Sequence, residues 1–238
     1  LCAPSPEDMI ATIRSRCRHL GLRIPTATAV ADLLVREGIA TPEVALEAAR
    51  AAQSHIGLAR ALARDPQMRE RRRNIITAPA SVRSVGEAVM AADRLLETAK
   101  AQADAQVSDR NAREKADLLR QLGMEEGESA TKASRTMLRQ LEEDQKRRSK
   151  RALTDAIDRA LIDLLAIYRD VLMVQVGGDG ELINTDLSEL VHQIAHDSTP
   201  HQTLARVDHI ETARKRLVSN GNPLLVLEDM AISLRPQA

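Results

Sequence analysis

The chain has 238 residues, 43% of them hydrophobic, and its 34 Lys and Arg are balanced by 34 Asp and Glu. That balance excludes a global positive field for nucleic acid. With one Tyr (Tyr168) and no Phe or Trp, base-stacking platforms for single strands are excluded as well, and the core must be aliphatic. Cys2 and Cys17 make neither a disulfide framework nor a zinc site. No apolar run reaches the length of a membrane span and no signal peptide is visible, so a cytoplasmic location is expected. The sequence opens on Leu1, not Met, and Leu1-Cys2-Ala3 reads as the end of a buried strand. The chain is therefore expected to be a fragment lacking upstream sequence.

Ser5-Pro6-Glu7-Asp8 is a helix-start pattern: a capping serine, proline at the first helical position and acids in the first turn. Met9, Ile10 and Ile13 supply an apolar face, and Arg14 and Arg16 fall at the far end, where arginine also complements the helix dipole. His19 to Ile24 alternates loosely up to Pro25 and predicts one short strand. Three short helices follow. The first is capped by Thr26 or Thr28, faces Val30, Leu33 and Leu34 inward and ends at Gly38. The second opens at Thr41-Pro42-Glu43 and faces Val44, Ala45 and Ala48 inward. The third carries Ile56, Ala59, Leu62 and Ala63 and ends near Asp65-Pro66. Met68 to Arg73 is nearly all arginine and acid, which predicts a solvated extension broken by Pro79.

A long alanine-rich, charged helix is predicted over 85–122, a turn over 123–128, and a second long helix over 131–176. The second helix is polar at first and then amphipathic through Leu153, Ile157, Ala160, Leu161, Leu164, Leu165, Tyr168 and Leu172. The two polar halves predict an antiparallel arm. The basic run Lys146 to Arg151 has acids one turn away (Glu142, Glu143, Asp144, Asp155), which favours a solvated face over a DNA-facing patch. Gly177-Gly178-Asp179-Gly180 lacks the lysine and Ser/Thr of a phosphate loop and follows a helix, so it is a helix-breaking loop. His192 and His196 have metal-ligand spacing, but Gln193 stands where a zincin has glutamate and no third ligand is evident, which favours surface histidines. Ser198-Thr199-Pro200 caps a helix with Leu204, Val207, Ile210, Ala213 and Leu217 inward. Asn220-Gly221-Asn222-Pro223 then turns the chain into a last helix.

Ser15-Arg16-Cys17 resembles the Ser-Arg-Cys motif of sliding-clamp loader subunits. The tail resembles the end of the same family's collar domain, with Asn220, Asn222, Leu225, Leu227, Glu228 and Met230 filling its Asn-x-Asn, Leu-x-Leu-Glu-x-Met pattern. The resemblance covers 1–75 and about 152–238 and is closest to delta-prime-type subunits of the bacterial DNA polymerase III clamp loader. The charged insertion between is similar to that of actinobacterial versions.

The resemblance implies a mainly α fold. It would comprise the edge of an AAA+ core with one or two short strands (1–24), a three-helix lid (25–75), a charged helical arm (76–151) and a helical collar (152–238). It implies that Arg16 reaches in trans to the γ-phosphate of ATP on a neighbouring subunit, supported by Ser15 and Cys17. A planar, always charged guanidinium suits the charge that builds there. Gly57 stands where ATP-binding relatives carry a sensor arginine, which implies a subunit that does not itself use ATP; glycine there also permits close helix packing. No Walker A sequence is present. The implied function is that of a stator that is not an enzyme alone but belongs to a DNA polymerase (nucleotidyltransferase) assembly. No cofactor would be bound by this chain, with ATP and magnesium held on neighbours. The implied partners are the gamma/tau and delta subunits, the sliding clamp and, through the complex, primer-template DNA. Asn220, Asn222, Leu225, Leu227, Glu228 and Met230 would serve collar packing and assembly. The alternatives are an ATP-using motor subunit and a helical scaffold or adaptor.

Overall fold

The computed structural model describes residues 3, 6–21, 23–124 and 131–236. They form helices and loops, with no strand among the described residues. Leu1 and Cys2 lie outside the described residues. The strand expected over His19–Ile24 is not formed: the described part is irregular and leaves Leu20 and Ile24 exposed. A strand needs a neighbour to complete its hydrogen-bond ladder, and none is present among the described residues.

A 3-10 turn (Pro6–Asp8) precedes α1 (Ala11–Arg14), which is a single turn with no side-chain cap and no buried residue. The continuous capped helix expected from 5 onward is thus replaced by two separate turns. The proposed capping Ser5 lies outside the described residues.

Three short helices then pack into a small alanine-rich core: α2 (Ala27–Arg36), α3 (Pro42–Ala51) and α4 (Ile56–Arg64). Thr26 caps α2 by accepting from Ala29 N at 3.1 Å, and Gly38 ends it at φ +66°, where a Cβ would strain the chain. Val30, Leu34, Ala45, Ala48, Ala59 and Leu62 are buried. Arg60 of α4 grips Glu37 just after α2 with donors at 2.8 and 3.0 Å.

Helix α5 (Pro66–Ser81) leads away from this cluster. Pro79 lies inside it, not at a break: the missing proline N–H removes one bond, and the helix ends two residues later. Nor is α5 merely solvated. Arg69 donates to the carbonyls of Leu62 and Ala63 and so closes the end of α4. Arg72 is 8% exposed and Ile76 is fully buried.

The main bundle is built on two long helices, α6 (Val85–Gln121) and α7 (Lys132–Gln175). A capping box between Ser84 and Glu87 starts α6. Its buried residues Ala88, Ala92, Leu96, Ala99, Ala103 and Val107 recur every three or four positions, one continuous stripe at helical spacing. The stripe continues at Asn111 and Glu114, where hydrogen bonds replace burial. Arg148 donates to Asn111 Oδ1 at 2.7 Å and to Glu114 Oε2 at 2.8 Å, and Gln145 donates to Asn111 O at 2.9 Å. This is how the polar arm stays paired without an apolar seam.

The second half of α7 is the centre of the core. Ile157, Leu161, Leu164, Ile167 and Val171 are each at most 1% exposed, and each contributes about 1.5–3 kcal/mol by burial. Against it pack α8 (Ser188–Asp197), α9 (Pro200–Val218) and α10 (Pro223–Ser233). In α9 the inward face differs from expectation at one point. Leu204 is exposed, while Thr203 and Arg206 are buried.

Candidate functional site

Arg16 lies two residues past the single-turn α1, in the turn that follows it, not on a helix. Its backbone N–H donates to Ile13 O at 3.1 Å. Ser15 ends the turn by donating its hydroxyl to Thr12 O at 3.2 Å. Ser15, Arg16 and Cys17 are all exposed, and Cys17 is a free thiol. Arg16 makes no hydrogen bond or ion pair through its side chain among the described residues. The local geometry thus presents a guanidinium outward with all five N–H donors available.

Gly57 is the second residue of α4 and is exposed. Tight packing between helices does not account for it. A Cβ there would instead approach the His55 ring, at 3.3 Å from Cε1. That ring caps α4 by accepting from Leu58 N at 3.1 Å.

The basic run 146–151 is mostly exposed, and three of its five cations have partners within the chain. Arg147 pairs with Asp144, Arg148 with Glu114, and Lys150 donates to Asn220 Oδ1 at 3.1 Å. His192 and His196 are exposed, with Nδ1 against Ser188 O (2.7 Å) and Asp197 Oδ1 (3.0 Å), respectively. Among the described residues no cluster of His, Cys, Asp and Glu is arranged to hold a metal, and no helix is long and apolar enough to cross a membrane.

The C-terminal pattern is structural and local. Asn220 adopts φ +62°, a left-handed conformation that asparagine tolerates. Gly221 follows with no room for a side chain, since a Cβ would come 2.8 Å from Arg216 O. Asn222 caps α10 by accepting from Leu224 N at 3.0 Å and Leu225 N at 3.4 Å. Leu227 and Met230 are buried at 0% and 4%. Leu225 corrects the expectation of a leucine-packed face. It is 63% exposed, because successive even steps of two cannot share one side of a helix with 3.6 residues per turn. Glu228 is half-buried.

A polar network joins the small three-helix cluster to the main bundle, and none of its roles was anticipated from the sequence. The loop between α7 and α8 receives three arginines from the N-terminal side. Arg50 of α3 pairs with Glu181 at 3.0 Å, Arg72 of α5 donates to Asn184 Oδ1 at 2.5 Å, and Arg73 pairs with Asp186 at 3.0 Å. Arg72 also reaches Asp163 on α7 at 3.0 Å. Burial pushes the Asp163 carboxyl above the usual carboxylate range, against the opposing pull of Arg72. On the next turns of α7, Asp170 is completely buried and holds the loop through Ile183 N and Asn184. A signal for this network exists in the sequence: Asp163 and Asp170, seven apart, interrupt an otherwise apolar stripe. Two carboxylates on a buried face require partners.

Residues 130–235 match the family described as DNA polymerase III, delta subunit, C terminal. Over 72 residues the chain is 38% identical to the DNA polymerase III subunit delta' of Bacillus subtilis (strain 168), a stretch covering 30% of this chain and 22% of that relative. No solved structure matches.

Proposed function

We propose that this chain, which carries a delta-prime-like clamp-loader C-terminal region, works as the non-motor subunit of a DNA polymerase III clamp loader. The observation that carries the reading is the family match over 130–235, which falls on α7 to α10, the part of the chain with the most deeply buried core. In this reading residues 152–238, the second half of α7 together with α8–α10, form a collar that holds the subunit in a ring with gamma/tau and delta partners. Helices α2–α4 form the lid, and the segment before them is the edge of an AAA+ core. The assembly opens a sliding clamp and places it on primer-template DNA in the cytoplasm. The subunit itself turns over no nucleotide.

Arg16 is the residue assigned to the neighbouring ATP site, with ATP and magnesium held by that neighbour. Support for the role comes from its outward exposure and from the lack of an internal partner among the described residues. A guanidinium already committed to a carboxylate of its own chain is not available to a phosphate across a subunit boundary. Co-purification tests the assignment. The intact chain is expected to assemble with the other loader subunits without added nucleotide, and a chain lacking 199–238 is expected to lose assembly. Assembly retained by the folded truncated chain contradicts the collar role.

A further inference from the structure

Arg206 on α9 is only 8% exposed and has no hydrogen bond or ion pair through its side chain among the described residues. Burying an ionised group without a counter-charge is costly, so such a cation persists where solvent or an anion can reach it. The one neighbour that answers it is Tyr168, whose ring centroid lies 5.9 Å from the guanidinium carbon. This is a cation–π contact that leaves the N–H donors unused. Tyr168 is itself held neutral, its hydroxyl pushed up to about 12 by burial although Arg206 pulls the other way.

Arg206 on α9 and Tyr168 on α7 both line an open cleft of about 350 Å³, whose other walls come from α5, α8 and residues 234–236. That volume falls within the range of small-ligand sites. Its apolar wall includes Leu190, Ile194 and Leu234. A second cation, Arg83, lies on the same lining and spends one nitrogen on Ala80 O. The sole acid on the lining is Asp197, which is exposed and engaged by His196. The hydroxyls of Thr77, Ser81 and Ser198 donate to the carbonyls of Arg73, Ala78 and Ile194, so they do not supply a counter-charge.

We propose that this cavity binds a small amphiphilic oxyanion, with its carboxylate or phosphate head on Arg206 and its apolar body against Leu190, Ile194 and Leu234. The guanidinium fork matches either head group in the same way. The inference is independent of the clamp-loader reading, since it rests on the cavity alone.

The chain has one tyrosine and no tryptophan, so its tyrosine emission reports on Tyr168 within the site. The intact chain is titrated with hexyl phosphate, hexanoate, hexanol and inorganic phosphate. A saturable change is expected with hexyl phosphate, hexanoate or both, and binding of hexanol and of inorganic phosphate is expected to be about tenfold weaker or worse. Preference for either charged head over hexanol supports the site and identifies the ligand as a phosphate ester or a carboxylate. Arg206→Gln is expected to weaken binding about tenfold or more. Ala80→Leu, which narrows the cavity and leaves both arginines in place, is expected to weaken it as well. If Arg206→Gln fails to fold, Arg206→Lys takes its place, with weaker binding expected because a point charge replaces the fork. The proposal is overturned by hexanol binding as tightly as the charged ligands, by inorganic phosphate binding as tightly (an adventitious ion only), by no saturable change, or by binding that survives both substitutions unchanged.

Discussion

Asn184 donates both its backbone N–H and its side-chain amide to one oxygen of Asp170, at 2.8 and 2.9 Å. The other oxygen of Asp170 accepts from Ile183 N at 3.0 Å and from Arg169 at 2.9 Å. The same Asn184 passes its own oxygen to Arg72, so one amide connects α5, α7 and the α7–α8 loop. Asp170→Asn retains the shape but turns one acceptor into a donor facing other donors. The expected loss is about 1–3 kcal/mol, the cost of leaving buried donors unsatisfied. Chemical denaturation of the two proteins measures it, and a loss under about 0.5 kcal/mol, the scale of a neutral surface change, contradicts the linchpin role.

Leu227 and Leu225 differ by two positions and by nearly everything else. Leu227→Ala is expected to cost about 2–5 kcal/mol, because a fully buried leucine leaves a cavity. Leu225→Ala is expected to change stability by less than about 0.5 kcal/mol, since that side chain is 63% exposed. Denaturant midpoints of the two variants against the parent decide it. Equal losses would mean that α10 sits in a different rotation.

The arm is clamped at Glu114, which accepts from Arg148 across the helix pair and from Arg110 one turn before. The Arg148 hydrogen bonds, then the Arg110 one, hold its carboxyl down at about 2, from an ordinary 4.5. The folded-state value is the lower of the two. The clamp's contribution is therefore complete above about pH 4.5 and is lost as pH falls through about 2. Glu114→Gln is expected to melt below the parent at pH 5, and the gap is expected to narrow toward pH 2. Thermal melts followed by circular dichroism at both pH values test this. A gap that stays constant rules out the carboxylate as its source.

Much of the helical order was legible in the sequence, because it is set by local chemistry. Thr26, Thr131, Thr199 and Asn222 each sit where a capping side chain is needed, and each caps its helix. The long helices were legible from the absence of breakers and from spacing. The failures share a different cause. The strand over His19–Ile24 depended on a partner that local pattern cannot supply. The break at Pro79 was read at the proline itself, whereas α5 runs on to Ser81, two residues beyond it. The arginine-rich start of α5 reads as solvated until Asp163 and Asn184, about a hundred residues away in sequence, are brought beside Arg72. Leu204 was assigned inward by period alone, whereas Thr203 and Arg206 take that face. Gly57 was legible as a missing side chain, but the physical neighbour that crowds it is the capping ring of His55.

Arg16 offers the sharpest test of the proposed function. Its side chain is exposed, its segment buries nothing in α1, and Arg14 lies two residues away at the last position of that turn. Neither arginine contributes to the core, so Arg16→Ala and Arg14→Ala are both expected to leave stability within about 0.5 kcal/mol of the parent. Any difference between them in a reconstituted loader then reports on chemistry, not folding. Arginine fingers in phosphoryl-transfer systems contribute about 10³–10⁵ in rate, but on the proposed reading only one of several ATP sites in the assembly would lose its finger. The expected result is therefore a partial loss of clamp- and DNA-stimulated ATP hydrolysis for Arg16→Ala and a smaller change for Arg14→Ala. Arg16→Lys is expected to recover only part of the loss, because an ammonium carries the charge without the planar fork. Steady-state hydrolysis by the three reconstituted assemblies gives the answer. Unchanged and equal rates for Arg16→Ala and Arg14→Ala would remove the trans role from Arg16. The collar reading of residues 152–238 would then stand or fall on assembly alone.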